Sequence, residues 1–472
     1  MDLKDFRKYA HELADWMADF MENIEDYPVR SQVKPGEIES RLPENPPQKG
    51  ESFEDIFKDF KDIIMPGMTH WQHPRFFAYF PANSSYPSVL AEMLTAALGA
   101  QCMIWQTSPS ATELEERVME WLKKMTGLPD YFEGVIQDTA STSTLVSILT
   151  AREKLSGYHI NDNGFSGNLK FTAYCSEETH SSIEKDIKIA GLGAGNLRKI
   201  EVDESYAIIP EKLEAAVKKD LASGYKPCCV IATIGTTGST AIDPLRPVGE
   251  ICKKYGIWLH VDAALAGTAL ILPGYRWMID GIEYVDTFVF NPHKWMFTNF
   301  DCSAYFVRDR EALVKTFEIH PEYLKTKEGK LVNNYRDWGI QLGRRFRALK
   351  LWFVIRTFGI DGIRQTIESH IRMAQSIKER IEKAPDFELL APVPLNTVCF
   401  RYKPEGIKDE EDLNEMNARL LEELNATGKV YFTHTKLRGR YTIRFVVGQT
   451  YVKPRHVDEG WDLIVNTARK IR

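Results

Sequence analysis

The chain has 472 residues, of which 43% are hydrophobic and 27% are charged, and its formal net charge is −6. This balance is typical of a folded globular protein, and the chain is long enough to bury a large core. It contains no long block of basic residues. Neither a nucleic acid nor a membrane surface is therefore expected as a partner.

Seven cysteines are scattered along the chain without a C-x-x-C pair. This pattern argues against a disulfide framework and favours reduced thiols in a cytoplasmic protein. The N-terminus is charged, unlike a signal peptide, and no apolar run approaches the roughly 18 residues of a spanning helix. No set of His, Cys, Asp and Glu residues has metal-ligand spacing, so no metal is expected.

Apolar residues at helical spacing predict an amphipathic helix over residues 1–25. Such a helix must cover its apolar stripe, either on the body of the same chain or on a second subunit. A proline-rich connector follows, and then a short helix is expected over Phe53–Ile64. The aromatic stretch of residues 70–87 either packs between domains or forms one wall of an aromatic binding pocket.

Residues 88–103 and 111–126 are expected to be helical, the second with Ser110 and Glu113 in capping-box spacing. From about residue 135 to 310, short apolar strands alternate with helices of ten or more residues, which indicates a parallel sheet covered on both faces. The expected strands are Phe171–Cys175, Cys229–Ile234, Trp258–Val261, Thr287–Phe290 and Ser303–Val307.

After about residue 360 the pattern becomes that of a smaller α+β domain, with a long helix over Ile363–Lys383 and a strand near Val430–His434. The sequence therefore predicts an α/β protein in three parts. These are an N-terminal helical segment (residues 1–85), a large α/β domain (residues 86–360) and a small C-terminal α+β domain (residues 361–472).

Ligands of such sheets bind beyond the carboxyl ends of the strands, so the polar residues that follow each strand are candidates. Lys294 follows the strand Thr287–Phe290, between a histidine and a tryptophan. Taken alone, Lys294 is more simply a surface residue whose stem lies on Trp295. Burial would instead lower the pKa of its amine, and a neutral amine can attack a carbonyl.

Asp262 ends another strand and either caps the segment that follows or pairs with Lys294. A lysine and an aspartate at neighbouring strand ends suit pyridoxal phosphate, because the lysine holds its aldehyde and the aspartate keeps its pyridine nitrogen protonated. The hydroxyls and amides of residues 139–141, before a helix, suit a phosphate or simply cap that helix. His180 and His293 are either cofactor contacts or polar loop residues.

The polar segment of residues 318–334 is expected to be a surface loop, either an ordinary one or a lid over the site that carries Tyr323. Beyond it, the arginines of residues 343–347 could form a solvated face or an interface cluster. Composition alone leaves both pairs of alternatives open.

Eight motifs connect these residues. They are HWQHPRFFAYFP (70–81), GVIQDTAS (134–141), HSS (180–182), GTT (235–237), HVDAA (260–264), NPHKW (291–295), NFDCSA (299–304) and LGRRFR (342–347). With them, the chain resembles the aromatic L-amino-acid decarboxylases nearly end to end. The resemblance implies fold type I of the pyridoxal phosphate enzymes, with a mainly parallel seven-stranded sheet, decarboxylation of an aromatic L-amino acid, and a homodimer.

By this resemblance, Lys294 binds the cofactor aldehyde and Asp262 pairs with the ring nitrogen. His180 stacks on one face of the ring, and Ala264 lies on the other. Tyr323 returns a proton to the substrate carbon. The other implied cofactor residues are Thr139, Ala140, Ser141, Thr237, Asn291 and His293. The implied substrate residues are Trp71, Tyr79, Phe80, Pro81, Ala82, Met103 from the partner subunit, His180 and Gly343.

The chain departs from the animal pattern at Leu265 and at Ala82-Asn83, and its lid segment is shorter. These differences leave the substrate open among DOPA, tyrosine, tryptophan, 5-hydroxytryptophan and phenylalanine. Gly343 resembles the glycine of indole-preferring plant members. Two alternatives share the scaffold: an oxygen-dependent aromatic aldehyde synthase, in which the loop tyrosine or the stacking histidine is typically replaced, and an inactive cofactor-binding homologue. Tyr323 and His180 are both present, which disfavours the former.

Overall fold

The structure is a computed structural model that describes residues 1–165, 169–319 and 331–471. The chain divides into two compact units. We call Met1–Tyr79, Ser376–Leu390 and Phe400–Arg472 the terminal unit, and Phe80–Gln375 with Ala391–Cys399 the central unit. None of the described helices combines the length and the apolar character needed to cross a membrane.

The helices and strands of the described residues are numbered in chain order. The helices are α1 (Leu3–Glu22), α2 (Phe53–Asp59), α3 (Tyr86–Leu98), α4 (Pro109–Thr126), α5 (Ala140–Ser156), α6 (His159–Asn163), α7 (Ser182–Ile189), α8 (Pro210–Ala222), α9 (Leu245–Tyr255), α10 (Pro292–Trp295), α11 (Arg310–Phe317), α12 (Arg347–Lys383), α13 (Glu410–Ala426) and α14 (Pro454–Ala468). The strands are β1 (Glu133–Gln137), β2 (Phe171–Ser176), β3 (Leu197–Ile200), β4 (Lys226–Thr233), β5 (Trp258–Asp262), β6 (Thr287–Phe290), β7 (Ser303–Val307), β8 (Phe387–Leu389), β9 (Thr397–Tyr402), β10 (Thr433–Leu437) and β11 (Arg440–Val446).

The central unit is built on a seven-stranded sheet of order β1-β7-β6-β5-β4-β2-β3. Strands β2 to β6 pair in parallel, whereas β7 runs antiparallel to both of its neighbours. The inner strands are buried at nearly every position, as expected where both faces of a parallel sheet are covered. These observations confirm the predicted α/β class and the mainly parallel sheet.

A buried polar network fixes helix α5 on strands β5 and β6. His260 lies at its centre, with Nε2 3.0 Å from the Thr144 hydroxyl and Nδ1 2.8 Å from the Thr287 hydroxyl. Ser147 lies 2.6 Å from Thr287 and accepts a hydrogen bond from the Trp258 indole at 2.9 Å. Because buried polar groups are costly unless paired, this network holds the start of α5 in a fixed position at the sheet.

In the terminal unit, helices α13 and α14 accompany a sheet of order β10-β11-β9-β8, most of which belongs to this unit. Asn417 of α13 fastens strand β9, since its amide nitrogen donates to the Tyr402 carbonyl at 2.8 Å and its oxygen accepts from the Tyr402 amide at 2.7 Å. Helix α1 has no buried residue. Its Trp16 packs edge-on against Phe57 and Phe60.

The end of helix α3 and the start of helix α4 differ from the sequence predictions. Helix α3 ends at Leu98, not at residue 103, because Gly99 adopts a left-handed conformation with φ 58° that ends a helix at low cost. The predicted capping box of α4 is wrong. Ser110 lies inside the helix, whose N-cap is Ser108, and Glu113 instead accepts a hydrogen bond from the Trp105 indole at 2.9 Å.

Other boundaries shift for local reasons. Helix α12 begins at Arg347, not at Ile363, and is interrupted at Gly359, where φ is 64°; the sequence pattern identified only the part after this glycine. The strand expected near Val430–His434 lies at Thr433–Leu437. Strands β1 and β3 were not expected individually, since both are short and β3 is a partly exposed edge strand.

Candidate active site

The carboxyl ends of strands β4, β5 and β6 lie side by side at one edge of the central sheet. Asp262, the last residue of β5, pairs in register with Thr233 of β4 and Val289 of β6. Lys294 lies in α10, which follows β6 after a single residue, Asn291. One inter-strand step therefore separates the strands that carry the two charged groups predicted to act together.

Asp262 is only 7% exposed, yet only one of its oxygens is engaged by the described part of the chain. Its Oδ1 accepts a hydrogen bond from the Ala264 amide at 3.0 Å, whereas Oδ2 has no protein donor there. A buried carboxylate oxygen without a donor is costly. The capping alternative thus accounts for one oxygen, and the other is available to a protonated ligand atom.

Lys294 is half-buried, and its Nζ lies 5.2 Å from the centre of the Phe80 ring. Its carbonyl accepts a hydrogen bond from the Asn83 side chain at 2.7 Å. The neighbouring Trp295 is fully buried, with its indole bonded to His370 at 2.9 Å. The structure therefore places this half-buried lysine beyond the carboxyl end of β6, with its amine over an aromatic ring.

His180 follows β2 and is oriented by the start of α7. Its Nδ1 accepts a hydrogen bond from the Ser182 amide at 3.2 Å and lies 2.9 Å from the Ser182 hydroxyl. Desolvation lowers its pKa, Asp262 opposes that shift and Lys294 adds to it. The three groups therefore share one electrostatic environment, and the neutral ring carries its proton on Nε2.

The start of α5 has the geometry of an anion site. The Thr139 hydroxyl accepts a hydrogen bond from the Thr142 amide at 3.3 Å, and the Thr139 amide donates to Asp138 at 2.6 Å. Thr139 is thus an N-cap, as the simpler alternative held. The amides of Ala140 and Ser141 lie in the first turn, where backbone N–H groups have no intrahelical partner and favour a phosphate.

Asn291 and His293 are buried and take part in the turn between β6 and α10. The Asn291 side chain accepts a hydrogen bond from the Ser303 hydroxyl at 2.7 Å. His293 Nδ1 accepts from the Cys302 amide at 2.9 Å, and burial, reinforced by Lys294, lowers the pKa of His293 to about 3. His293 is therefore neutral and can offer an anion an N–H group but no charge.

The remaining predicted cofactor and catalytic residues are Ala264, Thr237 and Tyr323. Ala264 lies directly after Asp262 and is 9% exposed. Thr237 is half-buried in the loop after β4. Tyr323 and much of the predicted lid lie outside the described residues.

Two predicted substrate residues, Met103 and Gly343, lie on segments of the central unit that backbone hydrogen bonds hold together. The Met103 carbonyl accepts a hydrogen bond from the Arg336 amide at 2.9 Å, and the Cys102 amide donates to the Arg344 carbonyl at 3.0 Å. Gly343 is exposed and directly precedes Arg344, one of the residues that make these bonds. Arg344 itself is buried and pairs with Glu115 at 2.6 Å, so it belongs neither to a solvated face nor to an exposed interface cluster.

The predicted substrate residues of the aromatic stretch are divided between the units. Trp71 and Tyr79 belong to the terminal unit, where their ring centroids lie 5.6 Å apart in a stacked arrangement and both side chains are partly exposed. Phe80 and Pro81 are buried in the central unit, and Ala82 is half-buried there.

The sequence reasoning missed Asp186, a carboxylate of α7 that is 3% exposed and whose Oδ2 has no hydrogen-bond partner among the described residues. Burial, and then the charge of Asp262, raise the pKa of Asp186 to about 7. One sign of it was available in the sequence. Asp186 falls on the same face of the helix as the buried Ile183 and Ile187, where an acidic residue is unusual.

Together these side chains offer an amine for an aldehyde, a carboxylate oxygen for a protonated ring nitrogen, and helix amides for a phosphate. Pyridoxal 5′-phosphate carries all three groups, and the residues present fit it. Fold and site therefore define a pyridoxal phosphate-dependent enzyme of fold type I.

Comparison with known proteins gives the same class. Residues 35–403 match the family model described as the pyridoxal-dependent decarboxylase conserved domain. The chain is 43% identical to phenylacetaldehyde synthase of Arabidopsis thaliana, over 99% of this chain and 96% of that protein. It is 42% identical to tyrosine decarboxylase 4 of Petroselinum crispum, over 99% and 94%.

Among solved structures, the chain is similar to the crystal structure of Oryza sativa TDC with PLP and tryptamine. The TM-score is 0.96 at 36% identity, and the match covers 100% of this chain and 99% of that one. The chain belongs to the pyridoxal-dependent decarboxylase family, and its cofactor is pyridoxal 5′-phosphate.

Proposed function

We propose that this protein decarboxylates aromatic L-amino acids to the corresponding aryl-alkylamines and carbon dioxide. The observation that carries the proposal is the placement of Lys294, Asp262 and His180 around one edge of the central sheet, with an anion site at the start of α5. The relatives support the aromatic class of substrate, since one is named a tyrosine decarboxylase and a similar structure contains tryptamine.

Lys294 would hold the cofactor through its aldehyde, and the amides of Ala140 and Ser141 would bind its phosphate. When bound, pyridoxal phosphate provides an electron sink for the bond that breaks as carbon dioxide leaves. Asp262 Oδ2 would keep a proton on the ring nitrogen, which maintains that sink. His180, neutral and protonated on Nε2, would lie on the ring and deliver a proton to the substrate carbon, directly or through Tyr323.

The substrate ring would meet Phe80, Pro81 and Ala82 on one side. Phe80 supports this assignment, because it contacts the Lys294 amine. We assign a further wall to Met103 of the partner subunit and to the exposed Gly343. Assays with Gly343→Ser test the last assignment. A hydroxymethyl group there should lower kcat/KM for tryptophan relative to tyrosine.

The second candidate is an oxygen-dependent aromatic aldehyde synthase. It is favoured by the 43% identity to a phenylacetaldehyde synthase and disfavoured by the presence of both Tyr323 and His180. The two reactions differ in their products. Purified protein with pyridoxal phosphate should form amine without hydrogen peroxide from at least one of DOPA, tyrosine, tryptophan, 5-hydroxytryptophan and phenylalanine. Aldehyde and peroxide without amine would establish the synthase instead.

Replacement of Lys294 tests the mechanism. Lys294→Ala should lower amine formation by more than roughly 10⁴-fold, because a covalent attachment has no substitute in the site. Unchanged amine production would show that another group holds the cofactor. Reaction of non-aromatic amino acids alone would remove the proposed substrate class while leaving the role of Lys294 intact.

We further propose a cytoplasmic homodimer. Helix α1 exposes Leu3 and Phe6, and α3 exposes Leu90, Leu94 and Leu98, so apolar surface is available for a second copy. All seven cysteines are buried free thiols, which supports a reducing compartment. Light scattering of the purified protein measures the mass, and a monomer would contradict the dimer.

A further inference from the structure

The turn that carries Lys294 is too short to satisfy its own backbone. Helix α10 has four residues, and only the Pro292 carbonyl accepts a hydrogen bond from its C-cap residue, Met296. The last carbonyls of any helix lack intrahelical donors. The carbonyls of His293 and Lys294 therefore need donors from elsewhere in the chain.

Asn83 supplies both donors. Its backbone amide donates to the His293 carbonyl at 2.8 Å, and its side-chain Nδ2 donates to the Lys294 carbonyl at 2.7 Å. Asn83 is 1% exposed. Buried amide-to-carbonyl bonds without competing water fix the orientation of a peptide unit.

The same short segment also contacts the other end of Lys294. Phe80, three residues before Asn83, has its ring centre 5.2 Å from the Lys294 Nζ. Beyond Asn83 the two segments remain joined, since the Ser85 hydroxyl donates to the Phe297 carbonyl at 2.7 Å. Residues 80–85 thus contact both the backbone and the amine of one lysine.

We propose that Asn83 is the positioning residue of Lys294: its side-chain amide sets the direction of the Lys294 peptide and so directs the amine toward the cofactor aldehyde. The inference rests on the proposed role of Lys294. Asn83 lies two residues beyond the motif of residues 70–81.

Two substitutions remove the donor while keeping the backbone amide. Asn83→Ala deletes the side chain, and Asn83→Asp keeps its shape but presents a carboxylate to the Lys294 carbonyl. Each should slow reloading of the cofactor-free protein with pyridoxal phosphate by roughly tenfold, the effect of one buried carbonyl left without its donor. Reloading is followed by the visible absorbance of the lysine-bound cofactor, and the pH midpoint of that absorbance should also shift.

Asn417 provides a matched control, because it is a buried asparagine that also bonds backbone groups, in the terminal unit. Asn417→Ala should lower the melting temperature without changing the reloading rate or the pH midpoint. If both Asn83 variants reload at the wild-type rate with the wild-type midpoint, Asn83 does not position Lys294. Misfolding of both variants would likewise overturn the proposal, since Asn83 would then serve folding.

Borohydride trapping followed by peptide mass analysis separates this inference from the proposed function. The reduced cofactor should be found on Lys294 in the wild type and should be absent in Lys294→Ala. Attachment to a different lysine would remove the basis of both proposals. Attachment to Lys294 with unaltered kinetics in the Asn83 variants would remove only the role of Asn83.

Discussion

The amino ends and the carboxyl ends of the parallel strands, here called the amino edge and the carboxyl edge of the central sheet, use charge in opposite ways. At the amino edge, a cleft of about 700 Å³ is lined by Lys154, Asp286 and Arg308 among other residues. Lys154 pairs there with Asp309 at 2.6 Å, and Asp286 accepts a hydrogen bond from the Leu259 amide at 2.8 Å. At the carboxyl edge, Asp262 and Asp186 each keep a carboxylate oxygen without a donor in the described residues.

We infer from this contrast that polar groups left without partners are a better sign of a binding site than the size of a cavity. A charged group that the chain itself pairs serves structure, and its cleft needs no ligand. An unpaired carboxylate oxygen in a buried position carries a cost that a ligand can offset. The charged residues named at the amino edge have partners, whereas the carboxyl edge has two carboxylate oxygens without a donor in the described residues.

Among the substitutions that compare the two edges, the largest effect should come from the carboxyl edge. Asp262→Ala removes the group that would keep the ring nitrogen protonated, and kcat should fall by roughly 10³-fold, as when a preorganised electrostatic group is lost. Asp286→Asn, at the amino edge, is the control and should leave kcat unchanged. Amine release measured at saturating substrate checks both. Equal losses in the two variants would remove the distinction between the edges.

A smaller effect concerns stability. Since the folded-state pKa of Asp186 is raised from 3.8 to about 7, the fold binds a proton that the unfolded chain releases. The contribution of this bound proton to the free energy of unfolding is complete below pH 3.8 and is lost as the pH rises to about 7. Asp186→Asn should therefore stabilise the cofactor-free protein at pH 8 by on the order of 2 kcal/mol and change little at pH 4.

Urea unfolding at the two pH values measures this difference. Asp220 is the matched control, because it is similarly buried but paired with Arg198 at 3.0 Å and with the Tyr174 hydroxyl at 2.8 Å. Asp220→Asn should destabilise the protein at pH 8, opposite in sign to Asp186→Asn. A gain from Asp186→Asn that is equal at pH 4 and pH 8 would contradict the assigned titration.

The smallest effect belongs to the amino edge. Lys154→Ala breaks the pair with Asp309, whose side chains are 47% and 34% exposed. Exposed pairs contribute little, so the free energy of unfolding should fall by less than about 1 kcal/mol. Activity should be retained. Urea unfolding and an amine assay check the two statements, and a loss of turnover would show that this cleft takes part in function.

Much of the central sheet could be predicted because its inner strands are short, buried apolar runs. Thr287–Phe290 and Ser303–Val307 were predicted with the observed limits. Strand β3 could not be recognised, since two of its four residues are basic and it lies at the sheet edge. Helix α12 was found only in part, because Gly359 divides its pattern.

The residues of the site likewise include some that could be predicted from the sequence and some that could not. Lys294, Asp262 and His180 could be named from their positions after strands, and the resemblance carried by the motifs implied the roles proposed for them. The contact of Asn83 with Lys294 spans 211 residues of sequence, and no local pattern encodes so distant a pair. Asp186 lay within a helix that was predicted, but its closeness to Asp262 depends on how α7 packs.

Because Asp262 and Lys294 are proposed to hold the cofactor, the pairing of β5 with β6 should also determine when the protein can take it up. Asp262 and Lys294 are 32 residues apart and come together only through a parallel pairing that needs a long crossover. Such pairings form late in folding, because closing the long loop costs conformational entropy before the two strands make any contact. The newly made chain should therefore collapse and form helices first, and it should bind pyridoxal phosphate only as the centre of the sheet closes.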